Sequence, residues 1–414
     1  MNVFDPRTFS TDWEHIVVDR LDRCVDTRRL LGFAGVLFTE LELPIIVDKE
    51  SLEFPLGINV SFDQLWDRIR RTTDRACELL RAHDLDLYPA AAHPQEKIYN
   101  SAHVHVGTIL DETAGLRLEN HLLRYAPAFA ALAANAPVAH GMYLEFKSYR
   151  VRDHALENIK PGMIRDPRTS QRIWGDDLGP KLNMTPTFEV RIIDCASSRR
   201  LLAELAVFTA AFIHSRGEEI DEELPGPEQY REYLGNRWTA ARDGMQATFR
   251  WNGKPRPVAE VLDEMLDGCE AELAVLGASR ARLPIINGMV RKRVCQADMV
   301  IPLARRYPDP YLLANAYGKM LRHWEWFEEF LNGAPPLEPR LMLSDDDILA
   351  EHLKQIGEGT HLYQTRETMS FPPPAADAVR ARLAAAGLVA EEFTLERGLT
   401  LSRVPRGTQP GSKP

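Results

Sequence analysis

The stretch NSAHVHVGTIL, residues 100–110, places His103 and His105 at alternate positions of an apolar, β-branched run. Side chains at i and i+2 of a strand point to the same face of a sheet. The stretch therefore predicts a strand that packs its valines on a core and presents two imidazoles on the other face. Taken alone, the pair is also compatible with hydrogen-bonded core histidines or with the start of a zinc site.

Two further segments repeat this pattern of polar residues two positions apart. VLFTELELPIIVD (36–48) carries Glu40 and Glu42, and TFEVRIID carries Glu189 and Arg191. Both segments are predicted to be strands, and either pair alone fits a strand with a solvated outer face. Three such pairs on neighbouring strands predict a shared site instead, because carboxylates that are buried together require compensating cations.

The residue types indicate a hard cation. Carboxylates with one imidazole and no thiolate suit Mg²⁺ or Mn²⁺ better than structural zinc, and Mg²⁺ usually acts together with substrate phosphates. Arg150, in KSYR, and Arg191 carry forked donors that suit phosphate or carboxylate oxygens. The sequence contains neither G-x-x-x-x-G-K-[ST] nor G-x-G-x-x-G, so a nucleotide would not bind through either glycine loop.

The composition is that of a globular protein, with 44% apolar and 27% charged residues in 414. A net charge of −10 without a basic stripe argues against a nucleic-acid partner. Five widely spaced cysteines without a C-x-x-C pair indicate a reducing compartment. Because the acidic N-terminal segment is unlike a signal peptide and no apolar run of about 18 residues occurs, we expect a cytoplasmic protein with no membrane partner.

The pattern of elements predicts one large unit over residues 1–335. An amphipathic opening segment precedes a sheet-rich part (36–195), and the part from 199 to 333 is almost wholly helical. Within the sheet-rich part, helical spacing is found over 62–83 and over 114–134, whereas YLEFKSYRVR (143–152) alternates like a strand. The Gly/Pro-rich stretch from 153 to 186 predicts a long loop, which in compact domains often forms a lid or a binding loop.

The C-terminal part predicts a small α+β unit over 340–405. We expect helices near 344–357 and 375–387, a strand near 360–367, and a β-hairpin that turns at Arg397-Gly398. Residues 406–414 predict a disordered tail. This unit is compatible with simple packing, with an oligomer contact, or with binding of a carrier protein or peptide.

Five segments, in this order, resemble the carboxylate-amine ligases related to glutamate-cysteine ligase of the plant and bacterial type, within the glutamine synthetase superfamily. They are ELELPIIVD, AHP, HVHVG, LLRYAPAFAALAANAP followed by KSYR, and TFEVRIID, with a weaker continuation through NRWTAARDG (236–244). The resemblance spans roughly residues 36–330. It implies an α+β fold in which a curved, mainly antiparallel sheet with outer helices holds ATP and Mg²⁺ (or Mn²⁺) on its concave face.

The resemblance also implies a reaction and a site. Such enzymes phosphorylate a carboxylate with MgATP, and an amine then attacks the acyl phosphate to form an amide, with glutamate as the usual carboxylate donor. The metal ligands that it implies are Glu40, Glu42, His103 and Glu189, with Glu53 as a further acidic position. The residues that it implies at the phosphates or at the substrate carboxylate are His105, Arg150 and Arg191. We expect small-molecule carboxylate and amine substrates and a homo-oligomer; the general base is not identified.

Two other classes of protein remain open at this point. A strand-borne H-x-H also begins the metal site of barrel-type amidohydrolases, but that fold requires regular strand–helix alternation and further histidines at later strand ends. The second class is a non-catalytic relative that serves as a binding module. The intervals from Glu42 to Glu53 and from His93 to His103 are shorter than the family usually has, and the missing segments would help to shape the acceptor pocket.

Overall fold

The computed structural model describes residues 7–333 with several gaps, and three strands beyond residue 333. The gaps are 20–21, 42, 49, 97, 108–111, 140, 154–176, 182–186, 218–225 and 308–309. The strands are β1 (Phe9–Asp19), β2 (Ile46–Asp48), β3 (Ser51–Pro55), β4 (Leu85–Tyr88), β5 (Ala102–Val106), β6 (Val138–Ala139), β7 (Met142–Tyr143), β8 (Leu178–Lys181), β9 (Thr187–Val190), β10 (Thr248–Trp251), β11 (Lys254–Pro257), β12 (Met369–Phe371), β13 (Val389–Glu392) and β14 (Leu399–Ser402). The α-helices are α1 (Thr27–Leu41), α2 (Phe62–Arg81), α3 (Glu112–Leu122), α4 (Ala126–Ala133), α5 (Tyr149–Arg152), α6 (Arg199–Arg216), α7 (Pro227–Asp243), α8 (Val258–Gly268), α9 (Glu270–Val275), α10 (Pro284–Lys292), α11 (Ala297–Arg306), α12 (Pro310–Leu321) and α13 (Trp326–Leu331).

Strand β1 is the centre of a curled, seven-stranded antiparallel sheet. The order of the strands is β2-β3-β1-β5-β9-β8, and β4 pairs with the second half of β1 next to β5. Along β1, Trp13, His15 and Val17 are fully buried on one face, while Asp12 and Glu14 alternate with them on the other. The sheet therefore has one apolar face and one polar face.

Helices α2 and α6 cover the apolar face of the sheet. Helix α6 is buried over every residue from Leu201 to His214, as expected of a helix in the middle of a core. Its first turn is capped by Ser198, whose hydroxyl accepts from the Leu201 N–H, and Ser61 caps α2 in the same way. Because the apolar face is covered, the polar face is the surface that remains for ligands.

The predicted strand over 36–48 is wrong for most of its length. Residues up to Leu41 belong to α1, and only β2 is extended. Helix α1 buries Leu30, Ala34 and Leu37, which follow the i, i+4, i+7 spacing of a helical stripe, and this stripe outweighs the local content of apolar residues. The sheet begins instead at β1, within the segment that was predicted to be an amphipathic opening.

Other predictions have mixed outcomes. The helix over 62–83 is confirmed as α2, and the helical stretch over 114–134 is α3 and α4 joined by a 3-10 turn. The strand over 143–152 is wrong, because only its first residue lies in β7 and its end forms α5. The predicted loop over 153–186 contains β8; its remaining residues, apart from Asp153 and Asp177, lie outside the described part of the chain.

The described C-terminal strands form an antiparallel sheet in the order β12-β14-β13. Pairing of Glu392 with Leu399 joins β13 to β14 in antiparallel orientation and leaves six residues between them, whereas a two-residue turn at Arg397-Gly398 would pair Glu396 with Leu399. The predicted C-terminal helices, the strand near 360–367, the turn at Arg397-Gly398 and the tail lie outside the described residues. The division of the chain into units over 1–335 and 340–405 therefore stays a prediction. Within the described residues, no helix has the length and apolar character needed to cross a bilayer.

Candidate functional site

The register of four strands gathers polar side chains on one face of the sheet. Directly paired residues of antiparallel strands point to the same face. The pairs that matter here are Asp12–His103 between β1 and β5, Glu14–Glu53 between β1 and β3, and His105–Glu189 between β5 and β9. Four residues that the sequence predicted, His103, His105, Glu189 and Glu53, are thus brought together.

One part of this face, which we call the acidic cluster, consists of Glu14, Asp48 and Glu53. Each carboxylate offers one oxygen, and these three oxygens lie within 4.8 Å of one another. Oε2 of Glu14 accepts two hydrogen bonds from Ser101, from its N–H at 2.6 Å and its hydroxyl at 2.7 Å. Ser101 therefore fixes the orientation of the Glu14 carboxylate.

Protonation of these carboxylates follows from their surroundings. Burial, together with the neighbouring Asp12 and Glu14 charges, raises the pKa of Glu53 to about 9. Burial also raises the pKa of Glu14, although Arg150 and Ser101 partly oppose this. Burial works in the same direction on Asp12, but the hydrogen bond and charge of His105 outweigh it, and the pKa of Asp12 is lowered. The acidic cluster thus retains a proton unless a cation takes its place.

The other part of the face surrounds the carboxylate of Glu189 with nitrogen atoms. Its Oε1 lies 2.8 Å from Arg191 Nη1, 3.4 Å from His103 Nδ1, 3.5 Å from Lys181 Nζ and 3.7 Å from His105 Nε2. Burial, and then the charges of Arg191 and Arg150, hold the pKa of His103 well below its usual range. His103 is therefore a neutral imidazole, which is the form that binds a metal.

His105 lies between Asp12 and the carboxylate of Glu189. Its Nε2 lies 2.9 Å from Asp12 Oδ2, and its Nδ1 lies 2.9 Å from the hydroxyl of Thr187. With both ring nitrogens engaged, the orientation of the imidazole is fixed, and Nε2 also lies toward Glu189. The arrangement places a positioned imidazole between an acidic region and a cationic one.

The donor set suits a hard divalent cation. Carboxylate oxygens from three strands and one neutral imidazole, without a thiolate, are the ligands that Mg²⁺ and Mn²⁺ take in proteins. Glu14, Asp48 and Glu53 would hold such an ion, with His103 beside them, since its Nε2 lies 3.9 Å from Glu14. Lys181 and Arg191, which both contact Glu189, would face the anionic part of a ligand.

Of the other predicted site residues, Glu40 and Arg150 are placed elsewhere, and one is not described. Glu40 lies on α1, is exposed, and pairs with Arg75 of α2 at 2.8 Å, so the structure does not bring it to the polar face. Glu42 lies outside the described residues. Arg150 is buried, and its guanidinium donates to the carbonyls of residues 191, 192 and 193 and to Asp194, so its donors are used within the protein rather than on a ligand.

The sequence reasoning missed four residues of this face: Asp12, Glu14, Asp48 and Lys181. For Asp12 and Glu14 a signal exists, because FSTDWEHIVVD alternates with period two and carries acidic residues at i and i+2. Asp48 and Lys181 lie on edge strands of three and four residues, which are too short to show a periodic pattern.

Comparison with known proteins bears directly on this sheet and site. The family model of glutamate-cysteine ligase family 2 matches residues 151–301. The protein named "Putative glutamate–cysteine ligase 2" from Mycolicibacterium paratuberculosis is 25% identical over 318 residues, which cover 64% of this chain and 81% of that protein. The resemblance to the glutamate-cysteine ligase family 2 is confirmed. A protein of the same name from Paracidovorax citrulli is 29% identical over 201 residues, covering 43% of this chain and 52% of that one.

Solved structures confirm the fold of this glutamate-cysteine ligase-like chain. The glutamate–cysteine ligase of Francisella tularensis, in complex with AMP, has a TM-score of 0.54 at 12% identity and covers 86% of this chain and 100% of its own. The ligase PafA, in complex with the ubiquitin-like protein Pup, has a TM-score of 0.50 at 12% identity, covering 94% and 84%. The predicted α+β fold, a curved antiparallel sheet with outer helices, is the fold of these ligases. The comparisons also support the predicted enzyme class, an ATP-dependent carbon–nitrogen ligase.

Proposed function

We propose that this chain is a carboxylate-amine ligase that uses ATP and Mg²⁺, or Mn²⁺, and forms an amide bond through an acyl phosphate. The observation that carries the proposal is the polar face itself, on which an acidic cluster adjoins Glu189 and its four surrounding nitrogen groups. A metal–nucleotide complex requires both features, carboxylates for the cation and forked or ammonium donors for the phosphates.

The chemistry explains why such a site is sufficient. A carboxylate is a poor acylating agent because its leaving group would be oxide; transfer of the γ-phosphoryl group to a carboxylate oxygen makes phosphate the leaving group. The cation supplies charge neutralisation at the phosphate oxygens when bound. Arg191 and Lys181 would stabilise the charge on the transferred group, and His105, held by Asp12 and Thr187, would orient it.

The substrates follow from the class only in part. Relatives of this chain carry the name glutamate–cysteine ligase, which favours glutamate as the carboxylate donor and a γ-glutamyl amide as the product. Small-molecule carboxylates and amines are therefore the first substrates to test, in a protein that we expect to be cytoplasmic and homo-oligomeric. A carrier protein or peptide as the amine partner is the second class, because the structural relative PafA is described as a ligase of a protein, Pup.

The direct experiment is a screen for ATP-dependent amide formation, with glutamate and other carboxylates against a panel of amines. Products are identified by mass. An ¹⁸O-labelled carboxylate distinguishes the mechanism: an acyl phosphate transfers one ¹⁸O to inorganic phosphate with release of ADP, whereas an acyl adenylate transfers it to AMP. ADP release that requires Mg²⁺ or Mn²⁺, a carboxylate and an amine is the expected result.

Two variants test the site within the same assay. Glu189→Ala removes the carboxylate at the centre of the face, and we expect turnover to fall by about a hundredfold or more. Glu40→Ala, on the exposed side of α1, is the matched control and should keep full turnover. Full activity of Glu189→Ala would refute the site. Absence of any ATP-dependent product would favour a non-catalytic relative, and amide hydrolysis with bound zinc would favour an amidohydrolase.

A further inference from the structure

A buried ion pair outside the polar face holds the backbone from which Arg191 extends. Arg237 of α7 donates to both carboxylate oxygens of Asp177, at 2.7 and 3.1 Å, and Tyr233 donates to the same carboxylate at 2.5 Å. All three side chains are almost completely buried. Burial opposes the charge of Arg237, but the adjacent Asp177 carboxylate outweighs it and raises the pKa of Arg237, so the guanidinium stays charged.

The main chain of Asp177 connects this pair to the site. Its carbonyl oxygen accepts from the N–H groups of Arg191, at 2.9 Å, and Ile192, at 3.1 Å. Residues 191–193 follow β9 and belong to no strand. The two hydrogen bonds to Asp177 therefore take the place of the strand-to-strand hydrogen bonds that fix the backbone within a sheet. Asp177 therefore holds the N–H side of the segment that carries Arg191.

Arg150 holds the carbonyl side of the same segment. Its guanidinium donates to the carbonyl of Arg191 at 2.8 Å and to those of Ile192 and Ile193 at 3.3 Å. Arg237 in turn donates to the carbonyl of Val151, the residue that follows Arg150, at 2.6 Å. Arg237 therefore contacts α5, and Arg150 of α5 contacts the segment after β9. That segment bonds to Asp177, which pairs with Arg237.

We propose that Arg237 and Asp177 are positioning residues for Arg191: they fix the segment from which the Arg191 side chain reaches Glu189 and the phosphoryl group. The inference rests on the proposed function for the role of Arg191. It also gives a function to the segment NRWTAARDG, which resembles the family but places no residue at the polar face. Neither Arg237 nor Asp177 touches the reacting groups, and both act through Arg191.

The first measurement is independent of activity. In the full chain, Asp177→Asn should raise the rate of amide hydrogen exchange at Arg191 and Ile192 by about tenfold, because local opening of the segment becomes less costly. The amide of Val104, in the middle of β5, should exchange as before. Asp22→Asn is the matched control, since Asp22 is a buried carboxylate paired with Arg322 away from this segment. It should lower stability without changing exchange at residues 191 and 192.

The second measurement is the affinity for a non-hydrolysable ATP analogue with Mg²⁺, determined by calorimetry for Asp177→Asn, Arg191→Lys and the double variant. We expect each single variant to weaken binding by about tenfold, and the double variant to bind no more weakly than Arg191→Lys alone. With Arg237→Lys in place of Asp177→Asn, the same pattern should appear. If the two substitutions instead weaken binding independently, so that their effects multiply in the double variant, the inference is wrong. Independent effects are what we expect for the control pair of Asp22→Asn and Arg191→Lys, if Asp22→Asn weakens binding at all.

The outcomes separate this inference from the proposed function. If the natural chain binds no nucleotide analogue, the proposed function fails, and hydrogen exchange alone decides the positioning role. Faster exchange at Arg191 and Ile192 in Asp177→Asn supports it, and unchanged exchange refutes it. If the natural chain forms an amide with ATP but Asp177→Asn changes neither exchange nor affinity, the function stands and the positioning role is wrong.

Discussion

The Nε2 atom of His105 lies 2.9 Å from Oδ2 of Asp12, across the pairing of β5 with β1. This contact connects Asp12, the neighbour of Glu53 in the acidic cluster, to an imidazole that also lies beside Glu189. It depends on the register of two strands, because a shift of one strand by one residue would turn its side chain to the opposite face of the sheet and away from its partner. The long central strand β1 is therefore the element on which the geometry of the site depends most.

A first prediction concerns the metal. Glu53→Gln removes one carboxylate from the acidic cluster while keeping its shape. A ligand present at a hundred times its Kd stabilises the folded chain by about 2.7 kcal/mol. We expect saturating Mg²⁺ to raise the free energy of unfolding of the natural chain, and the gain to be smaller by about 1.4 kcal/mol in Glu53→Gln at the same Mg²⁺ concentration, as for a tenfold weaker Kd.

Glu40→Gln is the control for this prediction. Glu40 is a glutamate on the exposed side of α1, and its partner is Arg75 rather than the sheet. Its replacement should leave the Mg²⁺-dependent gain unchanged. An equal loss of the gain in both variants would show that Mg²⁺ acts through general screening and not through the acidic cluster.

A second prediction concerns pH in the metal-free protein. The pKa of Glu53 is about 9 in the folded chain, against about 4.5 in the unfolded one. Between these values the folded state holds a proton that the unfolded state has released, so stability falls as pH rises from 4.5 toward 9. Glu53→Gln should therefore be progressively more stable than the natural chain from pH 5 to pH 9 in the presence of a chelator. A difference that is constant with pH would contradict the assignment.

A third prediction separates Arg150 from Arg191. Arg150 is buried and bonded to three carbonyls and to Asp194, so Arg150→Lys breaks contacts that a single ammonium group cannot restore. We expect the free energy of unfolding to fall by about 3 kcal/mol. Arg191→Lys, at the partly open side of Glu189, should change stability by about 0.5 kcal/mol or less. Urea unfolding of both variants measures the contrast, and similar losses in the two would refute it.

The strands that carry the site were predictable to different degrees. The strands β5 and β9 could be recognised because their segments alternate, and the alternation places His103, His105 and Glu189 on one face. The resemblance to known ligases added the order of the motifs and the type of sheet. Neither source gives the register between strands that are far apart in the chain, and this register decides that Glu14 lies opposite Glu53.

The errors have identifiable physical causes. The segment 36–48 is apolar enough for a strand. In the folded chain, however, Leu30, Ala34 and Leu37 form a buried helical stripe, and the helix α1 extends into this segment. Arg150 has the residue type of a phosphate ligand, yet carbonyl groups more than forty residues away in sequence use its donors. Residue type predicts which ligand a side chain suits, whereas only tertiary contacts show whether its donors are available.

A fourth prediction concerns His15, on the apolar face of β1. The imidazole is fully buried against Trp13 and Phe54, and neither ring nitrogen has a hydrogen-bond partner among the described residues. A buried polar group without a partner costs about 1–3 kcal/mol. We therefore expect His15→Leu to raise the free energy of unfolding at pH 7 by about 1 kcal/mol. His93→Leu is the control and should lower it, because the Nε2 of the equally buried His93 bonds to the Asp22 carbonyl at 2.9 Å.

Acid should enlarge the effect at His15. Burial lowers the pKa of His15 to about 3, against 6.5 when unfolded. Below pH 6.5 the unfolded chain binds a proton at this imidazole, whereas the folded chain excludes it. The stability that the neutral imidazole contributes is complete above pH 6.5 and is lost as the pH falls toward 3. At pH 5 the advantage of His15→Leu over the natural chain should grow by about 2 kcal/mol, since each pH unit corresponds to about 1.4 kcal/mol. Urea unfolding at pH 7 and pH 5 tests this, and an advantage that does not grow would mean that His15 is protonated in the folded chain.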